Sequence, residues 1–174
     1  MKLDQTYSKT HWKKAIHLII NDSAVTGPAL VVRKDDLQHG FRIYQHMRAK
    51  YKCVYVRMGI VCSMAHLYEE ILSQINPESR TSSKGYHEIT IQSIISFIKD
   101  LKRSILIVID HCHHLMLDPI FYLLGLILET EGRAQFLFFI VDEQVNLWCQ
   151  RFSIKDPRGK FFFKIVKRKY ELPY

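Results

Sequence analysis

The chain has no CxxC pair. Its four cysteines, Cys53, Cys62, Cys112 and Cys149, are irregularly spaced, a usage that excludes a disulfide framework and reads as a reduced, cytoplasmic protein. A secretory leader, with its charged then apolar pattern, is also missing from the N-terminus. The longest apolar stretch, Leu115 to Leu128, is broken by Asp118-Pro119 and falls short of the roughly 20 residues that cross a bilayer; no membrane segment is expected. A GxSxG elbow is absent and no cysteine has a recognisable histidine partner pattern, which removes the usual nucleophilic hydrolases. There is no internal repeat and no low-complexity segment. Acids are scarce: 17 Asp and Glu face 25 Lys and Arg, for a formal net charge of +8. A pI near 9.3 is compatible with a polyanionic partner.

What is present is apolar and alternating. At 174 residues and 48% hydrophobic, the chain has the material for one compact domain with a full core, read as a leading helix and linker over 1–28 and a core over 29–174. The apolar residues from Ser8 to Ile20 follow a helical stripe, and turn chemistry fills Asn21 to Pro28. Ala29 to Val32 reads as a short buried strand, Leu37 to Lys50 as a helix, and Cys53 to Val56 as a second strand. Ser63 is placed to cap a helix that ends before Asn76-Pro77. The polar stretch Glu78 to His87 reads as a loop, and Thr90 to Leu101 returns to helical spacing. After a strand that ends on Asp110, Pro119 suits the first turn of a further helix. Gln135 to Val141 is a fourth strand, Asp142 to Arg151 a short helix, and Phe161 to Leu172 alternates as a final strand. Strands that alternate with helices and are apolar throughout argue for a mainly parallel five-stranded sheet covered on both faces, a three-layer α/β fold.

The run Ser104-Ile105-Leu106-Ile107-Val108-Ile109 stops on Asp110, then His111. A carboxylate at the C-terminal end of a buried parallel strand stands where open α/β sheets hold their ligands. In P-loop NTPases such an Asp reaches the nucleotide's magnesium ion, and a water-orienting Glu commonly follows it; here that residue is His111. The phosphate loop that should accompany it is missing. A strand followed by GxxxxGK, then Ser or Thr, then a helix lets backbone N–H groups surround phosphates. After Val32 the chain instead reads Arg33-Lys34-Asp35-Asp36-Leu37-Gln38-His39-Gly40. Arg33 and Gln38 occupy the glycine places, His39 the lysine place and Gly40 the hydroxyl place, while Asp35 and Asp36 bring negative charge toward any triphosphate.

The leading helix, Leu30-Val31-Val32, the altered loop, Met47-Arg48-Ala49-Lys50-Tyr51 and Val54-Tyr55-Val56-Arg57 together resemble the AAA+ ATPases of DNA transposition, the target-selection proteins of transposons and Mu-like phages. Ile105 to Leu115 is similar to that family's hhhhDEAHxL, and Arg168-Lys169-Tyr170-Glu171-Leu172-Pro173 to its last core strand. The resemblance implies a P-loop NTPase-like AAA+ core. It carries over magnesium ligation to Asp110 alone; His111 stands at the catalytic Glu and Asp142 near a sensor residue. The sequence ends at Tyr174, and the resemblance implies that the helical lid is not included. These departures imply a pseudo-ATPase with no cofactor, whose partners are an AAA+ relative or a transposase-like protein. The alternative is a divergent ATPase that binds ATP and magnesium through Asp110, with Lys34 for the missing lysine. With no cation to hold, Asp110 is expected to be a strand-end acid that folding tolerates losing.

Asp110-His111-Cys112-His113-His114 offers metal ligands within five residues, but adjacent strand-end residues are not expected to converge on one ion; His113 and His114 read as the start of a loop or helix beside the sheet, and Cys112 as a small core residue. Lys164, Lys167, Arg168 and Lys169, with Arg48, Lys50 and Lys52, are the candidate contacts to a DNA backbone, since no motif supplies readout of base edges. Phe136, Phe138, Phe139 and Phe161 to Phe163 read as core rather than base-stacking residues.

Overall fold

A computed structural model of the chain describes residues 12–34, 38–60, 63–77, 87–153, 157–166 and 168–172. Five strands form one sheet: β1 (Ala29–Arg33), β2 (Cys53–Arg57), β3 (Ile105–Asp110), β4 (Ala134–Val141) and β5 (Arg168–Glu171). Their spatial order is β2-β3-β4-β1-β5, and every neighbouring pair is parallel. The helices are α1 (Trp12–Thr26), α2 (Gln38–Arg48), α3 (Met64–Ile75), α4 (His87–Asp100), α5 (Leu117–Glu129), α6 (Asp142–Ser153) and α7 (Pro157–Ile165).

Side-chain alternation along the strands sorts the core into two layers. Ile105, Ile107, Ile109, Phe136, Phe138 and Ile140 pack under α3 to α7. Leu106, Val108, Leu137, Phe139, Ala29 and Val31 pack under Ile16, Ile19 and Ile20 of α1 and Ile43 and Met47 of α2. Since β3 and β4 are apolar on both faces, they lie inside the sheet. The edge strands are the polar ones. On β2 the open backbone is closed by Gln74 of α3, whose amide accepts from Tyr55 N at 3.0 Å and donates to Tyr55 O at 2.8 Å.

Most of the expected elements are present, and Ser63 caps α3 as expected, its hydroxyl accepting from His66 N. Two boundaries differ. Helix α1 runs through the expected turn to Thr26, because buried Ser23 continues the stripe of Ile16, Ile19 and Ile20 and its hydroxyl bonds Ile20 O at 3.0 Å. Gly27 ends the helix, with φ +93. The final strand is also shorter than expected: Pro157 to Ile165 is helix α7, and only Arg168 to Glu171 is strand. Phe162 is fully buried, edge-on to Phe138 and Trp148, and its carbonyl accepts from Val166 N at 2.8 Å. That is helical closure with helical spacing. Of the expected loop Glu78 to His87, residues 78–86 lie outside the described residues, and His87 instead opens α4, three residues before the expected start at Thr90.

Candidate functional site: a closed ion pair at the strand ends

Strands β1 and β3 end on Arg33 and Asp110, with β4 between them. Both side chains point to the face covered by α1 and α2, and both are buried, Arg33 at 2% and Asp110 at 0% exposure. The guanidinium crosses above the Phe139 ring of β4, 5.7 Å from its centroid, and one of its N–H groups donates to Asp110 Oδ1. The carboxylate has further donors. Tyr55 Oη gives a 2.6 Å hydrogen bond to Oδ2, and His111 N gives one of 2.8 Å to Oδ1. Tyr55 is itself held by α2: its ring stacks on Tyr44 at 5.0 Å and meets Phe41 edge-on. Burial, then the adjacent Asp110 carboxylate and its hydrogen bond, push the Tyr55 hydroxyl pKa upward, so it remains a neutral donor.

Helix α2 closes on this pair at Gly40. A Cβ built there would lie 2.0 Å from Asp110 Oδ2 and 2.9 Å from Arg33 Nη1, closer than any real contact. Only glycine lets the first turn of α2 lie flush on the carboxylate.

Asp110 is therefore not the free strand-end acid expected. It is the hub of a buried network, because Arg33 supplies a fixed cation to a carboxylate that no water reaches. Tyr55, which the sequence shows only as a residue of the second strand, is a further member of the network. Of the other candidates, Lys34 is exposed while Arg33 is buried, and Asp142 is exposed at the start of α6. The side chains of Gln38 and His39, which open α2, lie outside the described residues. Among the described residues, a guanidinium rests on the carboxylate that would hold a nucleotide's magnesium, and the first turn of α2 lies against it at Gly40.

Beyond Asp110 the backbone turns sharply: His111 is left-handed at φ 54 and ψ 42, and Cys112–His114 forms a 3₁₀ turn. Cys112 is fully buried, and burial raises its thiol pKa well above the ordinary value. The rings of His111, His113 and His114 gather on one side of the turn. Burial, then the imidazoles of His114 and His111, lower the His113 pKa to about 4.

The basic candidates fall into two separate groups. Arg48, Lys50 and Lys52 are exposed just before β2, and Lys164 and Lys169 are exposed on α7 and β5. Strands β2 and β5 are opposite edges of the sheet, with β3, β4 and β1 between them. Arg48 lies over the Tyr44 ring, and Lys169 is 3.7 Å from Glu171. Lys167 and the Arg168 side chain lie outside the described residues.

Solved structures share this architecture. The ORC2 protein of Aeropyrum pernix, solved in ADPNP-ADP complexes, matches at TM-score 0.65 and 12% identity over 98% of this chain and 50% of that one. Cdc6p of Pyrobaculum aerophilum matches at 0.66 and 9% over 97% and 46%. The ORC1 protein of A. pernix in complex with DNA matches at 0.65 and 10% over 98% and 46%. The chain has the AAA+ P-loop NTPase fold. It spans about half the length of these proteins. No protein-family model matches it, and neither does any curated protein.

Proposed function

We propose that this AAA+-fold domain does not hydrolyse nucleotide and acts by binding other proteins, with DNA-backbone contact as a secondary property. The observation that carries the reading is the Arg33 guanidinium on Asp110, a built-in cation where the fold's catalytic members place magnesium. His111 in the place of the water-orienting Glu supports the same reading. AAA+ domains assemble through head-to-tail contacts, so a member without chemistry still adds a subunit to an array. Phe121, Leu128 and Phe161 are each about half exposed along an apolar groove of about 480 Å³ between α4, α5 and α7; exposed apolar surface of this kind marks protein contacts. A role in a mobile genetic element is supported by the sequence resemblance alone, at 47–57 and 105–115.

Titration with a fluorescent ATP analogue in excess magnesium tests the reading. No saturation is expected up to about 100 μM, an affinity worth roughly 5.5 kcal/mol. Tighter binding that is lost in Asp110→Asn would establish the alternative, a divergent ATPase that opens the pair and uses Asp110 for magnesium.

The DNA component is supported by the basic edges and by the fold's occurrence in an ORC protein solved with DNA. Phosphate contact predicts sequence-independent binding that falls with a log-log salt slope of about −0.9 per phosphate neutralised. Joint reversal of Lys167→Glu and Arg168→Glu should lower both affinity and slope. Undetectable binding at low salt would leave protein contact as the sole function.

A further inference from the structure

We propose that His111, His113 and His114 form an all-imidazole site for a borderline divalent metal ion, zinc above all. The turn after β3 makes the site. The rings of His111 and His114 lie nearly parallel across it, 21° apart with centroids at 6.1 Å. His113 joins them, 5.5 Å from the first and 4.0 Å from the second. One ring nitrogen from each of the three residues lies within 4.8 Å of the others. A tetrahedral ion with Zn–N bonds of about 2.0–2.1 Å needs its nitrogens roughly 3.4 Å apart, a gap that small ring rotations close.

The independent observation is a pair of orphaned atoms. His111 is 7% exposed, yet its Nε2, like His113 Nδ1, is buried with no hydrogen-bond partner among the described residues. Buried polar nitrogens are ordinarily paired, and an unpaired one calls for an explanation such as an ion. The turn is also rigid. Cys112 anchors it in the core, and His114 N and Leu115 N bond back to His111 O and Cys112 O, each at 3.0 Å.

The donor set selects the ion. Asp110 is taken up by Arg33 and Tyr55, so no carboxylate is left to favour magnesium or calcium, and nitrogen ligands suit zinc, copper, nickel or cobalt. His113 and His114 are only half-buried, which leaves the ion accessible for a fourth, exogenous ligand.

The test uses the full chain, free of any tag and stripped with chelator, titrated with zinc chloride against a chromophoric competitor. Cobalt chloride serves as the spectroscopic probe. One zinc per chain with Kd below about 10 μM, and visible cobalt d–d bands, are expected. His114→Gln, with an unchanged far-ultraviolet circular dichroism spectrum, should weaken zinc at least about tenfold and abolish the bands. His46→Gln, which alters the separate imidazole pair His17 and His46, should leave both readouts unchanged. A Kd weaker than about 10 μM, or equal affinity in His114→Gln, overturns the site. If His111→Gln fails to fold, the His114 variant alone decides.

Discussion

Asp110 and His111 are consecutive residues at the end of one strand, both buried, and they end in opposite situations. The carboxylate is saturated by Arg33, Tyr55 and a backbone N–H. The imidazole Nε2 has no partner among the described residues. In a low-dielectric interior a polar group that is internally satisfied has nothing left for a ligand, while one left unsatisfied is the group able to gain from one. The carboxylate at the end of β3 is thus occupied by protein partners, and the unsatisfied group is the imidazole one residue further on.

The largest expected effect comes from breaking the saturated side. Arg33→Met leaves Asp110 buried without its cation, a loss of about 3–5 kcal/mol, which at about 2–4 °C per kcal/mol lowers the melting temperature by roughly 6–20 °C. Arg33→Met with Asp110→Leu replaces the whole pair by apolar bulk and should recover most of that loss. Should Arg33→Met melt like the wild type, the pair contributes nothing and the closed-site argument fails.

Glycine substitutions sharpen the comparison by sign. At Gly40 an added methyl meets Asp110 and Arg33, so Gly40→Ala should destabilise by about 1–3 kcal/mol as overpacking, despite the helical preference for alanine. Gly125 in α5 has nothing within 4 Å of a built Cβ; there Gly125→Ala should stabilise by roughly 0.5–1 kcal/mol. Urea midpoints of the two variants should move in opposite directions. Tyr55→Phe removes one bond to a charged acceptor and should cost about 1.5 kcal/mol or somewhat more.

The sheet was legible because β3 and β4 are apolar without interruption, and period-2 alternation assigns their residues to two layers. Local spacing failed where two periods coincide: contiguous Phe161, Phe162 and Phe163 satisfy a strand as well as a helix, and Pro157 at the first helical position was the signal that could have decided it. Arg33 was visible as a departure from a phosphate loop but not as the partner of Asp110, which lies 77 residues away. Their approach depends on strand order and on the reach of an arginine over Phe139. Gly40 reads in the sequence only as the hydroxyl place of a phosphate loop; its closeness to Asp110 comes from α2 resting on the carboxylate. His113 and His114 read from the sequence as the start of a loop or helix, and they lie in the 3₁₀ turn Cys112–His114; the gathering of three rings follows from a left-handed His111, which spacing alone does not show.

The smallest expected effect concerns imidazoles that, unlike His111, are partnered. Between α1 and α2, His17 Nδ1 lies 3.1 Å from Tyr51 Oη and His17 Nε2 lies 3.1 Å from His46 Nε2. One of the facing nitrogens must donate and the other accept, so protonating both rings puts two N–H groups and two charges against each other. Burial, helped by Lys50 and the partner ring at His17 and by Lys13 and Lys50 at His46, lowers both pKa values below the ordinary 6.5. The unfolded chain therefore binds more protons than the folded one in this range, and stability rises with pH. The contribution is complete above about pH 6.5 and is lost as pH falls through the lowered folded-state values. Urea midpoints at a neutral and a mildly acidic pH should show a smaller acid-side drop for His46→Gln than for the wild type. Equal drops would mean that the pair tolerates its protons, and that partnered imidazoles in this protein are as indifferent to acid as exposed ones.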